Sequence, residues 1–478
     1  MNRSFLPPSA FIDPRGGNRH EIERLMSQAV SLLLPYLTEA ANRSPLPEAS
    51  AGEEPIPADP VAESVLLEKL RPLIAGSMNA AHPGYIGHMN SMPTTMSVVG
   101  DFVASALSNN MLFHEISPAF TPLELALTVQ FARLFGLGER SGGVMLGSGT
   151  MANLQALAVA RNARFGTTEK GLGALSQPPP VVLASEAAHA SVRKAAMILG
   201  LGTSGVVAVA ADENSRMRPD SLREEIGKAR AGGREPFCVV ATAGTTVTGN
   251  IDPLVEAGRI AREHGLWYHV DAAYGGALVF SEERRRRLAG TESADSVTFN
   301  PHKWLYVSSG CAMALFRDMR AMEDAFRVPS PYAGGGSAVT NLGEITVHGS
   351  RRVEVLKLWL SLQHIGSRGY GRLVDEGCRL ADYFRRKVEG RTYLESAGEP
   401  DTNIMCFRAA PARLDSARWD EWNSDLQAFL LRERGVFLSC PPYRGARRLR
   451  AVLLNPYADE RLVDRLFDDI DSFAAGVN

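Results

Sequence analysis

The chain has 478 residues, too many for one small domain and enough for a large core with one or two appendages. It is 45% hydrophobic and 22% charged with a formal net charge of −2, the composition of an ordinary globular protein, and it offers no bulk attraction to nucleic acid or to an anionic membrane. Five cysteines (Cys238, Cys311, Cys378, Cys406 and Cys440) form no CxxC and sit in apolar runs such as "CVVATAG", so they are expected as core hydrophobes in a reducing compartment, not as disulfides or metal ligands.

In chain order, "MNRSFLPPSAFIDPRGG" has no apolar signal core, and no stretch approaches the roughly 18–20 apolar residues of a membrane span. A cytoplasmic protein is expected. Residues 20–41, "HEIERLMSQAVSLLLPYLTEAA", read as an amphipathic helix with Leu25, Ala29, Leu32 and Leu33 on one side and a bend at Pro35. Residues 42–60 read as a Pro- and Ser-containing linker. From about 140 onward, short β-rich runs alternate with helical segments: 143–148, 181–185, 205–210, 238–244, 267–273, 296–300 and 311–317. Continuously apolar strands separated by helices predict an α/β fold with a mainly parallel seven-stranded sheet covered on both faces, and in such sheets ligands sit at the carboxyl ends of the strands. The run Glu282 to Arg287 is a dense basic patch, read as a solvated helix face with phosphate binding as the alternative. Ser350 is expected to cap a long helix ending at Gly366, and from about 361 the pattern changes to a small α+β lobe. The expected division is an N-terminal helical segment with linker over 1–85, a large domain over 86–360 and a small domain over 361–478.

The unusual motifs fall at strand ends. In "LGSGTMANLQAL", Ser148, Gly149 and Thr150 stand where a helix begins, a place suited to a phosphate, although a capped helix needs no ligand. His189 follows "VVLAS", either as a plain loop residue or as a ring stacked on a planar ligand. Thr245 and Thr246 follow another strand, where turn chemistry is the simpler reading. Asp271 in "WYHVDAAYGG" lies in an apolar strand and needs a cationic or hydrogen-bonding partner; with Ala273 on the same side it forms a platform for a protonated ring, or else half of a buried ion pair. Lys303, in "SVTFNPHKWLYV", leaves an apolar strand beside a histidine and a tryptophan; a desolvated lysine can act as a nucleophile and form a Schiff base. A phosphate cradle, a stacking imidazole, a buried acid and such a lysine are the parts needed to hold pyridoxal 5′-phosphate.

The segments "NPHKWLYV", "HVDAAYGGA", "SEAAHASVRKAA" and "HPGYIGHM…NNMLFHEISPAFTPLE" resemble the group II pyridoxal-phosphate decarboxylases over about residues 60–475. The resemblance implies the type I aminotransferase-like fold, pyridoxal 5′-phosphate as cofactor, and a homodimer with active sites at the interface. By position it implies Lys303 as the Schiff-base lysine, Asp271 at the pyridine nitrogen, and Ala273 and His189 on the two ring faces. Ser148, Gly149, Thr150, Asn300 and His302 match the phosphate site, and Thr246 the ring's hydroxyl side. Segment 325–343 resembles a loop closing over the substrate, with Tyr332 as the proton donor after carbon dioxide leaves. Because relatives that make aldehydes often replace this tyrosine or alter the histidine, decarboxylation of an L-amino acid is expected.

For the substrate, "YIGHMNS" matches the family's pocket segment, so His88 and Asn90 are candidate contacts for an anionic or short polar side chain, with packing at the dimer interface as the other reading of His88. Arg450 matches an arginine that binds a carboxylate, a task suited to a guanidinium. A small acidic or short polar substrate is expected, with an aromatic amino acid second. An aldehyde synthase or carbon–carbon lyase on the same scaffold, and a catalytically silent binding protein, remain alternatives.

Overall fold

The computed structural model describes residues 6–48, 54–174, 178–330 and 340–476. The seven anticipated apolar runs are all strands: β1 (Gly142–Leu146), β2 (Pro180–Ser185), β3 (Val206–Val209), β4 (Glu235–Thr242), β5 (Trp267–Asp271), β6 (Ser296–Phe299) and β7 (Ala312–Phe316). They form one sheet in the order β1-β7-β6-β5-β4-β2-β3. The pairs β2/β3, β2/β4, β4/β5 and β5/β6 are parallel, while β7 runs antiparallel to both its neighbours. The carboxyl ends of β1, β2, β4, β5 and β6 therefore meet along one edge. Strands β1 and β7 are buried throughout, which explains why they read as unbroken apolar runs; β6 is buried throughout too, with Ser296 and Thr298 alternating with Val297 and Phe299. Alternate residues of β4 enter two cores, Val239 and Ala241 one that includes Phe131 and Ile260, Cys238 and Val240 one that includes Leu157 and Val192.

Ahead of the sheet lie α1 (Arg19–Thr38), α2 (Glu63–Ala75), α3 (Thr95–Leu107) and α4 (Phe120–Leu134); α5 (Gly149–Phe165) follows β1. Helix α1 begins and ends near the expected bounds and carries Pro35 inside it. Its apolar stripe is not covered: no residue of α1 or α2 is buried.

The long helix anticipated from Ser350 starts instead at Glu354. Residues before it are committed elsewhere: the Arg351 N–H donates to Asn110 Oδ1, and the Arg351 side chain is buried in an ion pair with Glu124, so this stretch cannot wind into the helix. At Gly366 the backbone adopts φ 73°, ψ 161°, which breaks the helix where the sequence placed its end; the helix then resumes to Glu389. Beyond it, β8 (Leu394–Ser396), β9 (Ile404–Ala409) and a later strand, Leu449–Val452, form a small antiparallel sheet with its own core around Phe384, Phe407, Leu430 and Phe467. Ile86, far back in the chain, belongs to that core: its N–H donates to Phe437 O, and its carbonyl accepts from Val452 N. Among the described residues no helix is long and apolar enough to cross a membrane.

Candidate active site

The sheet's carboxyl edge gathers the singled-out side chains. Asp271 is the last residue of β5, 5% exposed. Ala273 does not continue the strand, as the sequence pattern had it; it lies in the following turn, and its N–H donates to Asp271 Oδ1 at 3.1 Å. The other carboxylate oxygen accepts from Asn153 Nδ2 at 2.8 Å. Asp271 is thus buried with hydrogen bonds to both oxygens, and among the described residues no salt bridge pairs it.

Lys303 follows β6 by four residues, in a turn where its N–H donates to Asn300 O at 3.0 Å. Desolvation lowers its ammonium pKa, with Arg450 adding to the effect and the Asp271 carboxylate opposing it. A lysine so placed reaches the neutral, nucleophilic form more easily than one in water. His189 lies in the same field. Burial pushes its pKa down, Asp271 opposes this, and Lys303 reinforces it. Its Nδ1 is 2.9 Å from Ser191 Oγ and accepts from Ser191 N at 3.2 Å. Lys303, Asp271 and His189 therefore share one electrostatic neighbourhood.

At the adjacent strand end, Ser148 is the N-cap of α5; its hydroxyl accepts from Met151 N at 3.3 Å. A Cβ on Gly149 would stand 2.6 Å from Asn300 Nδ2, so only glycine fits beneath that amide. Asn300 is buried, and its Oδ1 has no partner among the described residues. Thr150 lies in the first turn of α5. A helix N-terminus and a glycine admitting close approach fit a phosphate group. His302 has its Nδ1 2.5 Å from Cys311 O, and burial pushes its pKa down to about 4. Past β4, the two threonines divide: Thr245 serves the turn, its Oγ1 accepting from Asn250 N, while the Thr246 side chain is only partly buried.

Arg450 closes the other side. It is buried and donates from Nε to Ser439 Oγ (3.0 Å), from Nη1 to Thr246 O (2.6 Å), and from Nη2 to Gly87 O (2.9 Å) and His88 Nδ1 (3.0 Å). Among the described residues, one N–H of Nη1 has no partner. The guanidinium thus ties the 87–88 segment, the loop after β4 and the small sheet together. His88 and Asn90 are exposed, and the His88 ring meets Phe437 edge-on at 5.2 Å between centroids. Tyr332 and the middle of the lid-like segment, 331–339, lie outside the described residues.

Sequence reasoning missed Asn153, Ser191 and His269, which form the polar backing of Asp271 and His189. The signal was present for two of them. Asn153 is, with Gln155 and Asn162, a polar residue in a helix buried on most sides, and His269 alternates with Asp271 along β5.

The comparisons with known proteins agree with this geometry. The family described as "Pyridoxal-dependent decarboxylase conserved domain" matches residues 45–410. The chain is 31% identical over 425 residues to the cysteine sulfinic acid decarboxylase of Mus musculus, covering 85% of each chain. It is 34% identical over 368 residues to the aspartate 1-decarboxylase of Aliivibrio fischeri, covering 72% of this chain and 67% of that one. The crystal structure of mouse CSAD in apo form superposes with a TM-score of 0.88 at 28% identity, over 95% of this chain and 99% of that one. The chain belongs to the pyridoxal-dependent decarboxylases: it is a pyridoxal-phosphate-dependent enzyme of the amino-acid decarboxylase family, and its fold is the α/β fold of that family.

Proposed function

We propose that this enzyme decarboxylates a small acidic L-amino acid, or one with a short polar side chain, to its amine. The observation that carries the substrate class is the contact between Arg450 and His88. Arginine can only donate, so His88 Nδ1 accepts and its proton resides on Nε2. Burial and the neighbouring guanidinium both lower the His88 pKa, which keeps the ring neutral. An exposed N–H donor beside a fixed cation favours a ligand with acceptor oxygens. The relatives named for cysteine sulfinate and aspartate support the same reading.

In this reading Ser148, Gly149, Thr150, Asn300 and His302 hold the cofactor phosphate, Thr246 lies by the ring hydroxyl, and Ala273 and His189 take the two ring faces. The bound cofactor supplies an electron sink for the bond to the departing carboxylate. Asp271 keeps the ring nitrogen protonated. Lys303, lowered in pKa by burial, offers a neutral amine to the cofactor and later moves protons at the substrate. His88, Asn90 and the uncommitted N–H of Arg450 contact the substrate, and Tyr332 returns a proton to the carbon that lost its carboxylate.

The test is a panel assay. Protein with pyridoxal phosphate is incubated with the proteinogenic amino acids plus cysteine sulfinate, diaminobutyrate, ornithine and DOPA, and products are read by mass spectrometry. Amine from an acidic or short polar substrate is expected. Amine only from aromatic acids would overturn the substrate class, and aldehyde with hydrogen peroxide would overturn the role of Tyr332.

The proposed division of labour in the chain is a helical segment over 1–85, a cofactor domain over 86–360 and a small domain over 361–478. The proposed assembly is a homodimer. Support comes from the uncovered apolar side chains of α1 to α3, among them Leu34, Leu37, Leu73, Phe102 and Leu107, each at least 43% exposed. Sedimentation velocity would show a monomer if this is wrong.

A further inference from the structure

Behind Asp271 lies a run of polar side chains in which each proton has one place to be. Trp267 Nε1 can only donate, and it meets Ser296 Oγ at 2.8 Å. Ser296 Oγ is 2.8 Å from His269 Nδ1. His269 Nε2 is 3.0 Å from Asn153 Oδ1, an atom that can only accept. The imidazole proton is therefore on Nε2, and Nδ1 takes the Ser296 hydroxyl proton. His269 is fully buried, and its pKa falls to about 4, in keeping with a neutral ring. The Asn153 amide is thereby oriented, and its two Nδ2 protons go to Asp271 Oδ2 and to Ser191 Oγ, each at 2.8 Å. Ser191 in turn contacts Nδ1 of His189. The reverse amide orientation would set its oxygen against the Asp271 carboxylate oxygen, so it is excluded, and this in turn fixes the His269 tautomer.

We propose that Asn153, locked in orientation by His269, is a positioning residue that holds the Asp271 carboxylate in one plane, aimed at the nitrogen of a pyridine ring. Asn153 and the Ala273 N–H supply one donor to each oxygen and leave the remaining lone pairs for the ring. Without Asn153 the carboxylate is free to turn out of that plane, and its hydrogen bond with the ring N–H is weakened. The inference rests on the assignment of Asp271 to the ring nitrogen.

The test compares two ligands. Apo protein is titrated by calorimetry with pyridoxal phosphate and with its 1-deaza analogue, in which a C–H replaces the ring nitrogen. The wild type is expected to bind the natural cofactor at least about tenfold tighter than the analogue. Asn153→Ala is expected to shrink that preference about tenfold while binding the analogue within about threefold of wild type. Equal weakening toward both ligands would make Asn153 a merely structural residue and overturn the proposal, as would an unchanged preference. Should Asn153→Ala not fold, a pair at His269 decides: His269→Leu is expected to reduce the preference about threefold, and His269→Gln, which keeps a donor toward Asn153 Oδ1, to retain it. An unchanged preference in His269→Leu overturns the proposal. A wild type that does not distinguish the two ligands would overturn the Asp271 assignment itself; one that distinguishes them while Asn153→Ala does so equally well would remove only the role of Asn153.

Discussion

The two sides of the candidate site are built differently. The side proposed for the cofactor is assembled from strand ends of one sheet, and its polar backing, from the half-buried Trp267 to the buried Asp271, is hydrogen-bonded throughout. The side proposed for the substrate is tied from three distant pieces of chain by Arg450, with His88 and Asn90 exposed. A wall set by the register of a parallel sheet cannot shift without disturbing its strands. A wall held by one guanidinium can change its lining residues while the tie persists. In the proposed reading the chemistry of the cofactor sits on the rigid side and substrate selectivity on the adaptable one.

Four substitutions or conditions break or sharpen that contrast. Lys303→Ala strikes the rigid side at its reactive atom, and turnover should fall by about four orders of magnitude or more, with loss of the visible absorbance of lysine-bound cofactor. Retained turnover in that variant would sink the assignment. His88→Leu strikes the adaptable side. It should cut kcat/KM for acidic substrates about ten- to hundredfold and leave cofactor absorbance intact, read by steady-state kinetics and spectroscopy. If the cofactor were lost as well, the two sides would not be separable. Gly149→Ala places a Cβ against the Asn300 amide and should weaken cofactor binding about tenfold, measured by titration of the apo protein.

Acid should act mainly through the rigid side. His269 and His302 both have pKa values pushed down by burial from 6.5 to about 4. Between these values the unfolded chain binds protons that the folded protein refuses, so stability falls as pH drops from 6.5 toward 4. Buried Asp252 is pushed up to about 7 and works the other way, because the folded state holds its proton where the unfolded chain has lost it. Two histidines outweigh one aspartate, and the net loss over the window is on the order of a few kcal/mol. Denaturant unfolding at stepped pH would show it; a midpoint that rose on acidification would contradict it.

The same contrast explains what could be read from the sequence. Most of the sheet strands announce themselves because burial on both faces selects mainly apolar residues, the partly exposed β3 by its valines, and Asp271 and Lys303 stand out against that background. Helices α2 to α4 were not anticipated as elements; α2 carries Pro72 inside it. The tie made by Arg450 was illegible for another reason: it joins residues more than 360 positions apart, and nothing local to "RLRAVLLNP" distinguishes an arginine that grips carbonyl oxygens of the protein from one that awaits a substrate. Asn153 was legible in principle, since a polar side chain in an enclosed helix must have a partner, but the identity of that partner depends on how α5 crosses β5.

The break at Gly366 offers a probe of chirality. Its φ of 73° with ψ of 161° is a conformation that L-residues avoid, yet a Cβ built there meets nothing within 4 Å. Space and handedness, usually entangled when a glycine is replaced, are here separated. The position is the mirror image of an ordinary extended residue, so a semisynthetic chain with D-alanine at 366 would fit where L-alanine strains. The stability difference between these two proteins, identical in composition, would report the energy of backbone handedness alone, at the joint where the long helix passes from the large sheet to the small one.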